Sequence, residues 1–317
     1  MAEITAALVG QLRQETGAPL LKCKDALVKA GGDIEEARTI LRKAGAAAAE
    51  KVAGKLASEG IIEAYTSESG AVGVLLELNS QTDFVARNED FRSLAHELAR
   101  QVADAPTADS YPTVEALLAA KSTTAGVDGK TVGERINDSI GRIGEKIAIA
   151  RFTRFDAAPE TGAIATYIHK TDYKTGVLVQ VAAEGSPKSL VALAELAREV
   201  ALHAAALNPR YIHRDEVPSH LLDKEREIAQ SKADADPNFA KKPDNIKVQV
   251  IEGQVRKWLE QFVLLDQAYV RDSSGKQKVS AVVEAAAKAA GTPVHIVKFA
   301  RYKVGETAEA PQADAGN

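Results

Sequence analysis

The sequence predicts an α+β protein: an N-terminal module of three short helices, then two similar α+β core subdomains, the second with an inserted helical hairpin. Apolar residues recur at helical spacing in the N-terminal segment, and from Glu59 the spacing becomes that of strands joined by a turn. Three segments then recur in the same order. Gly60–Tyr65 is paralleled by Gly162–Tyr167, Gly73–Leu78 by Gly176–Val181, and His96–Ala103 by Ala194–Ala201. Chance likeness between two hairpin–helix units would have to produce all three agreements in order, so a duplicated unit is the better reading.

Each element has a local cause. Ile4, Leu8 and Leu12 form one stripe of a first helix that Thr5 can cap, and Thr16-Gly17-Ala18-Pro19 ends it. Leu20–Lys29 is a second helix, stopped at Gly31-Gly32. Asp33 caps a third, with Ile34, Ala37, Ile40 and Leu41 on one face. Lys43–Lys55 reads as a separate linker helix, closing a module at 1–55. Ile61–Tyr65 and Val72–Leu78 flank a turn at Ser67–Gly70 and read as a hairpin. Glu89–Ala103 is a helix with Phe91, Leu94, Ala95, Leu98 and Val102 inward. Residues 104–112 are loop, helices lie near 113–121 and 131–144, and Lys146–Phe155 alternates as a strand, completing a first core subdomain at 56–156. The second, 157–304, repeats this pattern. Within it, 216–233 and 244–262 are amphipathic helices separated by a Pro237- and Pro243-containing break, a helical hairpin at about 216–262. Val279–Ala290 is a further helix and Val294–Val304 a last strand; the polar run 305–317 reads as a flexible tail.

Composition excludes several classes. The chain has 317 residues, so at roughly 150 residues per domain it holds two domains or three small ones. A formal net charge of −4 argues against a chain-wide basic surface for DNA, because phosphate binding needs clustered Lys and Arg. Cys23 is the one cysteine, which rules out an intrachain disulfide and a paired-cysteine zinc site. The N-terminal residues lack the apolar core of a signal peptide, and no apolar run reaches the ~18 residues of a membrane helix. A cytoplasmic protein is the expectation. Aromatics make up only 5% of the residues, so an exposed ring would call for an explanation.

No catalytic constellation assembles. Gly126-Val127-Asp128-Gly129-Lys130-Thr131 ends like a phosphate-binding loop, but Thr124 stands where its leading glycine belongs. His213-Arg214-Asp215 lacks the other parts of a kinase catalytic loop. None of the six histidines pairs with cysteine or carboxylate at metal-ligand spacing, and His96 and His203 read as helix residues with packing or capping roles. Cys23, flanked by Lys22 and Lys24, reads as a small core filler. No cofactor and no metal are implied.

One segment resists a purely structural reading. Glu77–Phe91 (ELNSQTDFVARNEDF) links the hairpin to the next helix, with Asn79–Asp83 as a polar turn before Phe84 and Val85. Physics alone favours a hydrophobic staple, Phe84 or Val85 packing back on the helix. The other reading is a projecting Asp–Phe tip that enters a partner's pocket, as interface anchors do.

This run closely resembles the signature of the elongation factor Ts family, nucleotide-exchange factors for elongation factor Tu. The N-terminal residues Leu12-Arg13, Thr16-Gly17-Ala18, Cys23-Lys24, Ala26-Leu27, Gly32-Asp33, Ala37 and Leu41-Arg42 resemble that family's first module. Tyr167-Ile168-His169, Gly176–Val179, Ile251-Glu252-Gly253, Leu264–Gln267 and Val304-Gly305-Glu306 fit as well, so the resemblance runs from residue 2 to about 306. Pro19, Lys22 and Ala268 depart from the usual pattern, and Asp234–Phe239 lengthens the hairpin's loop.

The resemblance implies a ubiquitin-associated-like fold for the N-terminal module, docking through Arg13, Leu20, Leu21 and Lys24 on the GTPase domain of elongation factor Tu. It implies that Thr82, Asp83, Phe84 and Val85 dislocate the partner's Mg²⁺, with Ile143, Gly144 and His169 as supporting contacts. It also implies Val270 and Arg271 as candidates for a further contact with elongation factor Tu, whose GTPase domain and a neighbouring domain are both engaged. The implied activity is guanine-nucleotide exchange in translation elongation, without a chemical active site. A homodimer and a 2:2 complex both stay open. A different class of function also stays open: an adaptor whose N-terminal module binds a ubiquitin-like or nascent-chain partner. That reading leaves Asp83 and Phe84 unexplained.

Overall fold

The computed structural model describes residues 4–124, 129–240 and 242–306. Residues 307–317 of the expected tail at 305–317, and 126–128 of the Gly126–Thr131 stretch, lie outside the described residues. Helix α1 (Ala6–Thr16) is capped by Thr5, whose side chain accepts from Leu8 N–H, and it ends at Gly17. Helix α2 spans Leu20–Lys29. Asp33 caps α3 (Ile34–Val52) by accepting from Glu36 N–H. The third helix and the expected linker helix are therefore one continuous helix. The alanine-rich run after Leu41 is strongly helix-forming, and the one glycine in it, Gly45, is packed rather than a break. Val9, Leu12, Cys23, Ala26, Leu27 and Ala37 form the core of the three helices. The Cys23 thiol is buried and donates to Ala18 C=O at 3.4 Å, the filler role the sequence suggests.

The first sheet has strands β1 (Glu59–Thr66), β2 (Val72–Ser80) and β3 (Ile147–Asp156), antiparallel in that order. Between β2 and β3 come α4 (Asp83–Ala86), α5 (Glu89–Asp104), α6 (Val114–Ala119) and α7 (Val132–Ile143). Asn79 and Ser80, expected in a polar turn, continue strand β2 because they pair with Gly60 and Glu59. Helix α5 buries Phe91, Leu94, Ala95, Leu98 and Val102 on the sheet, the face its period predicts. The second sheet has β4 (Gly162–Ile168), β5 (Thr175–Ala183) and β6 (Val294–Lys303) in the same order, with α8 (Leu190–Leu207) in the place of α5. A β-bulge falls at Glu77/Leu78 in one sheet and at Gln180/Val181 in the other, corresponding points of the repeat.

The two sheets face each other through their other surfaces. Ile62 and Leu75 of the first meet Ile164 and Leu178 of the second, joined by Phe155, Ala157 and Tyr302. Each sheet has a glycine where the other's side chains press in. A Cβ on Gly73 would lie 2.5 Å from Ile164 and 2.7 Å from Leu178; one on Gly176 would lie 2.5 Å from Ile62 and 2.9 Å from Leu75. A polar clasp rims this contact. Fully buried Glu77 accepts from Arg151 Nε at 2.7 Å and from Gly305 N–H at 3.2 Å, while Arg151 also covers the Tyr302 ring. Glu306 pairs with Arg301. Gly305 and Glu306, read from sequence as the start of a loose tail, are thus anchored, because Glu77 needs donors in an apolar setting.

Helices α9 (Ser219–Asp234), α10 (Pro237–Ala240) and α11 (Asp244–Phe262) form the inserted hairpin, its break occupied by the one-turn α10. Phe239 packs there with Ala229, Ala233 and Ile251, which accounts for the longer loop. Helix α12 (Val279–Ala290) completes the second half. His203 on α8 is buried. Its Nδ1 accepts from Val270 N–H at 3.2 Å, so Nε2 carries the hydrogen and donates to Gln267 Oε1 at 2.9 Å. His203 is therefore held neutral, and burial lowers its pKa below the ordinary 6.5.

Two outcomes follow. Gly176→Ala should lower stability by about 1–3 kcal/mol in urea denaturation, because the added methyl overlaps Ile62 and Leu75. Below pH 6.5 the unfolded imidazole of residue 203 binds a proton that the buried ring refuses, so its contribution is fully present above that pH and is lost as the pH falls. Urea midpoints measured between pH 5 and 7 should show a slope that His203→Gln reduces.

Candidate functional site

The segment Thr82–Val85 is a capped helical turn rather than an open loop. Thr82 has extended backbone angles and its side chain accepts from Val85 N–H, the geometry of an N-cap on α4. Four residues of helix present adjacent side chains to different sides. Val85 and Ala86 are buried on the α5 face of the first sheet, whereas Phe84 is 81% exposed. The staple and the projecting ring, alternatives for one segment, are both present, with Val85 taking the inward seat. Asp83 lies beside Phe84 and pairs with Arg87 at 3.1 Å, both partly open to solvent.

The turn is tied from outside by a residue the sequence reading passed over. Glu145 accepts from Thr82 N–H at 3.1 Å and from its hydroxyl at 2.9 Å. Ser80 adds a hydroxyl bond to Thr82 C=O at 2.9 Å. Glu145 follows Ile143 and Gly144 at the end of α7. Ile143 packs on the core of the first sheet, and Gly144 is an exposed helix terminus with φ of +86°, a turn that favours glycine. The structure thus links Ile143 and Gly144 to Thr82 through one carboxylate. Glu145 follows the αL glycine directly, and this was its only sequence signal.

His169 is exposed at the start of the β4–β5 loop, 3.4 Å from the Tyr167 hydroxyl. That loop is held against the first sheet: Tyr173 C=O accepts from Ile62 N–H at 2.7 Å, and Arg92, in the first turn of α5, covers the Tyr173 ring. His169 accordingly stands on a loop docked to the half that carries Phe84.

In the N-terminal module Arg13, Leu20, Leu21 and Lys24 are all exposed, Leu21 at 69%. Val28, one further turn along α2, is also exposed and extends the apolar strip; the sequence reading missed it, although its i+4 spacing from Lys24 was visible. Lys22 points elsewhere. It donates to Gly141 C=O on α7 at 2.6 Å, so this departure from the family pattern serves an internal contact. Helix α3 meets α7 where a Cβ on Gly141 would lie 3.1 Å from Gly45 Cα. The cleft beside this crossing measures about 990 Å³ and is lined mainly by polar side chains, among them Arg38, Arg42 and Arg142.

A model of the family described as elongation factor TS matches residues 81–306. Over nearly the whole length, the chain is 39% identical to the elongation factor Ts of Nostoc sp., covering 99% of this chain and 96% of that protein. The elongation factor Ts of Syntrophotalea carbinolica is 41% identical, with 97% and 95% covered, and that of Trichlorobacter lovleyi 39%, with 98% and 96%. The chain belongs to the elongation factor Ts family. It is accordingly a translation elongation factor. The elongation factor Ts model begins at Gln81, immediately before the capped turn, while the full-length relatives also span the N-terminal module.

Among the described residues, no three His, Cys, Asp or Glu side chains are grouped to hold a metal ion, and no helix is long and apolar enough to cross a membrane. In the second half of this elongation factor Ts chain, Val270 is 39% exposed and its N–H is fixed by His203. Arg271 is turned onto Glu199 at 3.1 Å. The following turn is ordered by Asp272, whose carboxylate accepts from the N–H groups of Gln277, Ser274 and Lys276; these bonds hold its pKa down to about 2. Val270 therefore sits on a fixed ledge.

The opposite settings of Phe84 and Val85 give opposite responses. Phe84→Ala should change stability by less than about 0.5 kcal/mol, while Val85→Ala should cost about 1–3 kcal/mol, both read from denaturant midpoints.

Proposed function

We propose that the protein binds elongation factor Tu carrying GDP and promotes GDP release, after which GTP loads. The observation that carries this reading is Phe84, a large apolar side chain 81% exposed on a turn whose neighbours Thr82 and Val85 are held fast. Exposing a ring while anchoring the backbone on both sides is the arrangement of an interface anchor. In this reading Thr82–Val85 enters the partner beside its Mg²⁺/phosphate site, Phe84 displaces the metal-bearing region, and Asp83 orients the tip. Ile143, Gly144 and His169 support the same contact. Arg13, Leu20, Leu21 and Lys24 dock on the GTPase domain, and Val270 makes a further contact with the partner. The division into 1–55, 56–156 and 157–304, with the hairpin at about 216–262, belongs to this reading too, as does action in the cytoplasm.

No bond is made or broken in such a reaction. The factor binds nucleotide-free partner more tightly than GDP-bound partner, and by linkage GDP weakens its binding by the same factor. Each tenfold gain in release rate needs only about 1.4 kcal/mol of differential stabilisation, which a few well-placed contacts supply. The Mg²⁺ involved belongs to the partner.

The test is release of fluorescent GDP from elongation factor Tu, followed by stopped flow. The chain should accelerate release, and Phe84→Ala should slow the accelerated rate about tenfold or more while leaving the protein folded. Normal acceleration by that variant would overturn the role given to Phe84. Absence of any acceleration, with no elongation factor Tu retained by the chain even without nucleotide, would favour the adaptor reading.

A further inference from the structure

We infer that Glu145 is a positioning residue: its carboxylate holds the Thr82–Val85 turn in the conformation that projects Phe84. For its effect on exchange, this rests on the function proposed above; for its effect on the turn, it does not.

Helix α4 is a single turn, too short to persist by its own hydrogen bonds, so its conformation has to be imposed from outside. Val85 and Ala86 fix its inner side. Nothing apolar fixes the outer side, because Phe84 is in solvent. The remaining hold is on Thr82. Its N–H and its hydroxyl both donate to Glu145, the hydroxyl lying 2.9 and 3.0 Å from the two carboxylate oxygens. Hydrogen bonds to an ionised acceptor are the stronger kind, and a carboxylate can accept several at once. With its hydrogen directed at Glu145, the Thr82 oxygen keeps lone pairs for Val85 N–H, the capping bond of α4. Both carboxylate oxygens of Glu145 are engaged by Thr82, so its charge is used on this turn. It reaches Thr82 because Gly144, at φ of +86°, redirects the chain as α7 ends. A contact made at Ile143 or Gly144 and one made at Phe84 are therefore mechanically joined through a single side chain.

Two readouts decide this. The first needs no partner: amide hydrogen exchange at Val85, Ala86 and Arg87 in the full chain. Glu145→Ala should speed exchange there about tenfold while the strands keep their protection. Thr82→Val should do the same and Thr82→Ser should not. If Glu145→Ala does not fold, Thr82→Val against Thr82→Ser carries the comparison. Unchanged exchange at these amides overturns the inference. The second readout is stopped-flow GDP release with Glu145→Ala, Phe84→Ala and the pair. Glu145→Ala should slow release, and the double variant should be no slower than Phe84→Ala alone. Full activity of Glu145→Ala beside an impaired Phe84→Ala would overturn the positioning role. Full activity of Phe84→Ala would overturn the role given to Phe84 instead, and the amide measurement would still decide what Glu145 does to the turn.

Discussion

The contact between the two sheets is the constraint on which the rest depends. Ile62, Leu75, Ile164 and Leu178 interlock only because Gly73 and Gly176 leave room for them. Each sheet thereby has both faces covered, one by its own helix and one by the other sheet. A three-stranded sheet with one helix would leave a face in water, so neither half buries its apolar surface alone. The Glu77–Arg151–Gly305 clasp then closes the rim, and the β4–β5 loop is drawn over β1 by the Tyr173–Ile62 bond. The loop that carries His169, from the second half of the repeat, is docked on the half that carries Phe84 for this reason.

The two halves agree in strand order, bulge position and covering helix, and they differ at the link from the second strand to the helix. In the first half that link contains α4 and its exposed ring. In the second, Ala183 leads through Glu184–Ser189 directly to α8. Symmetric parts of the repeat are engaged in burying each other. The asymmetric insertion is free of that duty, which is where a projecting side chain can be kept without loss to the core.

Most elements were legible in the sequence because their causes are local. Thr5 and Asp33 cap the helices they precede, Phe91 to Val102 follow the 3.6 period, and the repeat aligned the strands of both sheets. Three things were not legible. Periodicity does not say which of two adjacent apolar residues turns inward in a four-residue helix, so Phe84 and Val85 could not be told apart. Glu145 lies 63 positions from Thr82, and no local pattern pairs a carboxylate with a distant hydroxyl. The continuity of helix α3 is hidden because Lys43–Lys55, rich in Ala, Lys and Glu, reads as a separate linker, whereas the structure carries one helix from the N-terminal core at Ala37 to the first sheet's core at Val52. The resemblance of Glu77–Phe91 to a family signature supplied what periodicity lacked, and full-length similarity to elongation factor Ts proteins bears out the family assignment.

The continuity of α3 has one more consequence. That helix belongs to the N-terminal module at one end and to the core at the other, and Lys22 and the Gly45–Gly141 crossing brace it against α7. The Leu20–Leu21 strip and Phe84 therefore stand a set distance apart, as the jaws of a caliper do. On the proposed function, docking of the strip on a partner presents Phe84 at a high effective concentration instead of through a second free encounter. A weak wedge contact then suffices, because docking of the strip supplies affinity that the wedge need not supply itself.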